Sequence, residues 1–262
     1  MLFSKFILRR CLPLALVAVL CAACGGGGGS PPATGASADA SAGSSTAPPA
    51  AGNNVVAITV DAGPEGTGYN ANRLYAEVTI CQPGSTSACQ TIDHVLVDTG
   101  SVGLRVLSSA IPAGLNLVAQ VGSAGLPLLS CAQFVDNSFA WGPVVTADVA
   151  LGAKRASAVP VQVIADPAYN KLQGACSTTG NALTSAAILG AKGILGVGLF
   201  QQDCGQRCTT TLANGYYYTC SGAACLTATR STASIAQQIK NPVPLFATDN
   251  NGLVIDLPSV SN

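Results

Sequence analysis

Apolar residues fall in short runs along most of the chain, and turn-forming residues separate the runs. Val55 to Val60, Leu74 to Cys81, Thr91 to Val97, Gly103 to Leu107, Val144 to Leu151 and Val159 to Ala165 are rich in Val, Ile and Thr, and Gly, Pro, Asn or Ser bound them. Such runs predict strands, and short strands set apart by turn signals predict an all-β sandwich or barrel. In one run the alternation is regular. Val145, Ala147, Val149 and Leu151 point one way and Thr146, Asp148 and Ala150 the other, the pattern of a half-buried strand. Helix signals are few. The best is Ser231 to Lys240, with Ser231 placed as N-cap, Ile235 and Ile239 four apart, and Pro242 just beyond the end.

The first fifty residues break this pattern. Lys5, Arg9 and Arg10 precede an apolar run from Cys11 to Ala23. A basic start, a short apolar core and small residues at its end predict a secretory signal peptide over residues 1–23. The run is shorter than the roughly 20 residues that span a bilayer. Leu20-Cys21-Ala22-Ala23-Cys24-Gly25 resembles a bacterial lipobox. The resemblance implies that Cys24 becomes the lipidated N-terminus, that the membrane is a partner through this anchor, and that the protein resides in the cell envelope. Several acyl chains on one Cys hold a protein stably at a membrane, where a single chain does not. Gly25 brings no acidic retention signal after Cys24, which favours the outer membrane. Apart from Cys24 and Asp39, residues 24–52 are Gly, Ser, Ala, Pro and Thr, with almost no large apolar side chain. They cannot bury enough surface to offset chain entropy and read as a tether.

Charge narrows the function classes. Charged residues make up 9% of the chain and the formal net charge is zero. A nucleic-acid footprint needs clustered Lys and Arg, so nucleic acid is excluded as a partner. Beyond Cys24 stand Cys81, Cys89, Cys131, Cys176, Cys204, Cys208, Cys220 and Cys225. An even count in an exported chain predicts disulfides, with Cys81 and Cys89 closing one local loop. The last four have x3 and x4 spacings, looser than the paired C-x2-C of a zinc site, so no metal is expected.

The stretch that carries chemistry is Val95-Leu96-Val97-Asp98-Thr99-Gly100-Ser101, an apolar strand running into an acid and then Thr, Gly and Ser. Gly lets the chain turn sharply after the carboxylate, and the hydroxyls can donate to it. Alone, Asp-Thr-Gly is equally the end of a strand in an Asx-type turn. In context, four segments resemble, in order, the N-terminal lobe of pepsin-like aspartic peptidases. They are the hairpin from Tyr75 to Val97; Asp98 to Ser101 with Leu104 and Val106 after it; Phe134 to Gly152; and Gly193-Ile194-Leu195-Gly196-Val197-Gly198. Pro244-Leu245-Phe246 to Leu257 resembles the start of a second lobe. The resemblance implies an all-β pepsin-like lobe, a closed or partly open barrel, over residues 53–243, with a second lobe beginning over 244–262. It also looks like a bacterial family of uncharacterised lipoproteins, a domain of unknown function with a lipobox and a glycine-rich tether.

What the resemblance implies for the site is specific. Asp98 is a catalytic carboxylate, Thr99 braces its loop, Gly100 makes the turn, and Ser101 hydrogen-bonds the carboxylate. Phe134, Val135 and Trp141 belong to a flap over a peptide substrate. Ile194, Leu195 and Gly196 pack beside the active-site loop. The reaction uses two close carboxylates that share a proton and no cofactor. The chain departs from the pattern in two places. Arg105 stands where the family has an aromatic residue, and no second Asp-[Ser/Thr]-Gly occurs, the later aspartates being Asp203, Asp249 and Asp256. Three readings stay open: the sequence is part of a two-lobed protein, two copies pair as a homodimer to build one site, or the scaffold is a non-catalytic envelope binding or structural lipoprotein.

Other residues read as structural. His94, the single His, lies four residues before Asp98 on the same predicted strand and reads as a surface residue. Trp141 and Tyr216-Tyr217-Tyr218 read as strand packing. Gly193 to Gly198 has a rival reading as a phosphate-cradling loop, which requires a helix directly after it.

Overall fold

The computed structural model describes residues 52–257, apart from 69, 72, 123–124, 171–175, 177–179, 213–214 and 222–224. The expected signal peptide, Cys24 and nearly all of the tether lie outside the described residues. The β-branched runs form strands: β1 (Ile58–Asp61), β2 (Arg73–Cys81), β3 (Cys89–Asp98), β4 (Val102–Leu107), β5 (Leu128–Gln133), β6 (Phe139–Leu151), β7 (Lys154–Ile164), β8 (Gly193–Val197), β9 (Tyr217–Ser221) and β10 (Thr227–Arg230). Two one-turn helices, α1 (Ala186–Leu189) and α2 (Arg207–Thr210), and short 3-10 turns complete the described elements.

The order across the sheet is β1-β2-β3-β8-β4-β7-β6-β5-β9-β10, and β2 also pairs with β6. That last pairing closes β2, β3, β8, β4, β7 and β6 into a barrel, which removes the free edges an open sheet would expose. The neighbours are antiparallel except β3–β8 and β4–β7. β6 is the shared strand: its second half lines the barrel, and its first half pairs with β5, which continues to β9 and β10.

Alternation fills the barrel. Val78 and Ile80, Leu104 and Val106, Val145, Ala147 and Val149, and Val159 and Val161 form one buried cluster that Val95, Leu195 and Phe246 join. The expected face of β6 is therefore the core face. On its other side Thr146 and Ala150 are half-buried, whereas Asp148 is only 3% exposed. Asp148 accepts from the amides of Gly84 (2.9 Å) and Ala158 (2.8 Å) and from Arg155 Nη2 (2.9 Å). Burial raises its pKa, but these donors outweigh burial and hold the carboxyl below its ordinary range.

The cysteines form four disulfides: Cys81–Cys89, Cys131–Cys176, Cys204–Cys208 and Cys220–Cys225. Cys81 and Cys89 are register partners at the end of the β2–β3 hairpin, as the local-loop expectation required. The expected helix from Ser231 to Lys240 does not form; the segment is turns and extended chain. Tertiary bonds take the groups a helix would use. The Gln238 side chain bonds Gly205 N, Gly205 O and Ala233 O, the Ile239 amide donates to Tyr217 OH, and the Lys240 amide donates to Pro160 O.

Candidate active site around Asp98

β3 ends in Asp98. Val95 faces the barrel core, while Leu96 packs in a second cluster outside it, with Tyr75, Leu107, Ile164 and Ile194. Side chains alternate along a strand, so Asp98 emerges on the Leu96 side, away from the core. β8 lies between β3 and β4, with Leu96 beside Ile194, Val97 beside Leu195 and Asp98 beside Gly196. β4 starts on the other side of β8, with Gly103 beside Gly196. The Asp98–Ser101 loop therefore straddles the end of β8. Gly196 permits this crossing, because a Cβ there would lie 2.7 Å from both N and C of Val102. The Gly198 amide then donates to Ser101 O at 2.9 Å. This close approach accounts for the glycines of 193–198. No helix follows directly, so the phosphate-loop reading lacks the element it requires.

The half-buried Asp98 carboxylate accepts one bond among the described contacts, from the Gly100 amide at 2.8 Å. This is the Asx-type turn. The expected bond from Ser101 is not formed: Ser101 Oγ is buried and has no partner among the described residues. Thr99 and Gly100 are exposed.

Ile194 and Leu195 divide between the two clusters, Leu195 in the barrel and Ile194 outside. Phe134 packs against the cluster that holds Leu96 and Ile194. Its turn is set by the Phe134 amide donating to Ser138 O (2.9 Å), by Asn137 at φ 65°, and by Asp136, which accepts from Ser138 N and Oγ. The Ser138 hydroxyl and amide hold the Asp136 carboxyl below its ordinary range. Val135 at the tip is fully exposed. Trp141 is placed differently from a flap residue. Its carbonyl accepts from the Ala165 amide, one residue past the pairing of Leu107 with Ile164. Along the ladder that is roughly 15 Å from the level of Gly103 and Asp98. Trp141 Nε1 donates to Tyr169 O at 2.8 Å, and its ring meets Tyr218 edge-on at 5.3 Å. Trp141 is a packing residue, pinned in a cluster that contains Cys131, Cys176, Cys220 and Cys225. Among the described contacts none joins Phe134, Val135 or Trp141 to Asp98.

His94 turns out of line at φ 50°. Its Nδ1 lies 2.6 Å from Asp93 and its Nε2 lies 3.2 Å from Asp61. Lys192 and then His94 lower the Asp93 carboxyl to about 2, against the effect of its partial burial. One cleft among the described residues, of about 420 Å³, is lined by Gln206, Thr209, Ser234 and Gln237, and another, of about 280 Å³, by Phe139, Trp141, Tyr169 and Leu183. Asp98 lines neither.

Sequence reasoning missed the polar cluster behind the loop. Arg105 and Asp203 form an ion pair (Nη2 to Oδ2, 3.3 Å) with their side chains 4% and 5% exposed. Tyr217 OH donates to Asp203 Oδ1 at 2.7 Å. Burial pushes the Asp203 carboxyl up, with Arg105 and Tyr217 pulling it part of the way back; burial likewise pushes the Tyr217 phenol up. The available signal was Arg105 itself, a charge inside the apolar run from Leu104 to Leu107.

No curated protein matches this chain. The family described as "Protein of unknown function (DUF3443)" matches residues 50–262, and the chain belongs to it.

Proposed function

We propose that this chain is an exported, lipid-anchored envelope protein whose barrel supplies one half of an aspartic-peptidase-type site, with Asp98 as the carboxylate it contributes. The observation that carries this reading is the placement of Asp98. It stands at the end of β3, on the outer face, in a loop drawn over β8 by Gly196 and Gly198. The chemistry needs a second carboxylate close by, because like charges at short range cannot both ionise. One carboxylate takes a proton from water, whose oxygen adds to the peptide carbonyl carbon. The other gives its proton to the carbonyl oxygen. Collapse then breaks the C–N bond, and the amine leaves with a proton. Asp203 is paired with Arg105 and Asp249 with Lys154. A second lobe or a second copy of the chain is the source that fits, and residues 244–262 are read as the beginning of such a lobe.

Cleavage of a mixed peptide library between pH 3 and 7 tests this. Cleavage requires that a second lobe or a second copy complete the pair; in that assembly cutting is expected to be best in acid, and Asp98→Asn to lose at least a thousandfold in rate, as removal of one member of a catalytic unit does. Equal cutting with Asn at 98 would sink the proposal. The non-catalytic binding or structural lipoprotein is favoured by one observation: among the described residues Asp98 accepts a single bond, and the Ser101 hydroxyl beside it has no partner. It predicts no cleavage by either form. The anchor is tested separately. Mass spectrometry of the mature N-terminus is expected to find an acylated Cys24, and a free thiol there would remove the lipoprotein reading.

A further inference from the structure

The loop that carries Asp98 is held from behind by a closed ring of contacts, and its members are distant in sequence. Arg105 Nη1 donates to Val102 O at 2.6 Å, directly after the loop, and Arg105 Nη2 meets Asp203. The Asp203 amide donates to Ile239 O at 3.1 Å, and the Ile239 amide donates to Tyr217 OH at 2.8 Å. Ile239 sits against Gly103, where a Cβ would come within 2.3 Å of its Cγ2. Two residues on, Asn241 Nδ2 donates to Gly198 O at 3.2 Å, and the Gly198 amide returns to Ser101 O at 2.9 Å. The ring thus grips the loop at Ser101 and at Val102.

We propose that Arg105, Asp203 and Tyr217 are positioning residues for Asp98, a brace that fixes the conformation of its loop. The significance of the brace for catalysis rests on the reading of Asp98 as a reactive carboxylate; its mechanical action does not. Apolar side chains of similar volume would fill this space with equal or better stability, since desolvation cancels much of a buried ion pair. An ion pair has directional bonds that an apolar pair lacks, and here those bonds end on the Val102 carbonyl and on the Asp203 carboxylate. The titratable and charged groups that face Asp203 are Arg105 and Tyr217.

The test compares amide exchange and the Asp98 carboxyl carbon resonance in the full chain and in Arg105→Met/Asp203→Leu, which removes both charges together. The double variant is expected to keep its fold while exchange at the Gly198 and Asn241 amides speeds up at least tenfold and the Asp98 resonance shifts. Exchange at Val149, on the far hairpin, is expected to stay unchanged. Unchanged exchange at Gly198, or equal acceleration at Val149, overturns the proposal. If the double variant does not fold, Tyr217→Phe removes two bonds of the ring, to Asp203 Oδ1 and from the Ile239 amide, and is read in the same way. The readouts need no substrate, so their failure is distinct from a failure of the cleavage assay.

Discussion

Replacing Gly142 by alanine is expected to leave no cooperatively folded chain. A Cβ at this position would lie 1.8 Å from Val163 O and 2.9 Å from Val163 C, and both are backbone atoms. Relief requires β6 and β7 to part by more than an ångström. The strands are locked on both sides of this point. Val144 pairs with Gln162, and the Ala165 amide donates to Trp141 O. Gly142 cannot retreat the other way either, since it pairs with Ser130 of β5. It marks the corner where β6 leaves the barrel for the second sheet, a place where glycine commonly permits close backbone approach. Overpacking usually costs about 1–3 kcal/mol where side chains can yield. Here only backbone can yield, and the expected cost is about 5 kcal/mol or more, comparable to the whole stability of many domains. Thermal unfolding followed by circular dichroism checks this. A variant that melts cooperatively within about 5 °C of the wild type would refute it.

Much of the barrel was legible in the sequence because β-branched residues and turn signals coincide there. β2, β3, β4, β6 and β7 all contain a predicted run. β5 was not legible, and of β9 only the tyrosines read as strand packing. Leu128 to Ala132 and Tyr217 to Cys220 are buried on both faces, so no alternation marks them as strands. The segment from Ser231 to Lys240 misled for the opposite reason. Its local spacing suits a helix, but Gln238, Ile239 and Lys240 make bonds to Gly205, Tyr217 and Pro160 that only tertiary structure reveals.

The site divides in the same way. The turn at Asp98 was legible because Asp-Thr-Gly-Ser is local, whereas the Gly193–Gly198 segment was singled out only by the family resemblance. The Arg105–Asp203 pair spans 98 residues of sequence, and no pattern at either end names the other. The Ser101 bond to Asp98 was implied by the family resemblance; in the fold Asp98 accepts from the Gly100 amide and Ser101 Oγ has no partner among the described residues. Trp141 lay in the right segment for a flap, but its indole N–H is committed to Tyr169 O, a partner that only the folded chain brings near.

Asp148→Ala is expected to lower stability by about 3 kcal/mol at neutral pH, through loss of charged hydrogen bonds worth about 1.5–3 kcal/mol each. The estimate is kept below the full sum because Arg155 is 34% exposed and can be solvated when its partner goes. Gly84 and Ala158 are exposed residues as well, so solvent also softens the loss of their bonds. At about 2–4 °C per kcal/mol for a domain of this size, the melting temperature falls by about 10 °C. The pH dependence identifies the carboxylate as the cause. Asp148 is held below its ordinary pKa in the fold, burial notwithstanding, by the two amides and Arg155. The unfolded chain protonates this group near pH 4, while the folded chain still keeps it ionised. The unfolded state therefore binds more protons across that interval, and the contribution of Asp148 is lost as pH falls through the folded value. Melting curves of wild type and variant should lie furthest apart at pH 7 and converge toward pH 2. A constant gap across that range, or a gap under about 3 °C at pH 7, would show that the buried charge does not hold the β2–β3 turn to β6 and β7. Asp148→Asn keeps one carbonyl acceptor for the amides and should fall between the two, with little change in its gap to Asp148→Ala as the acid range is crossed.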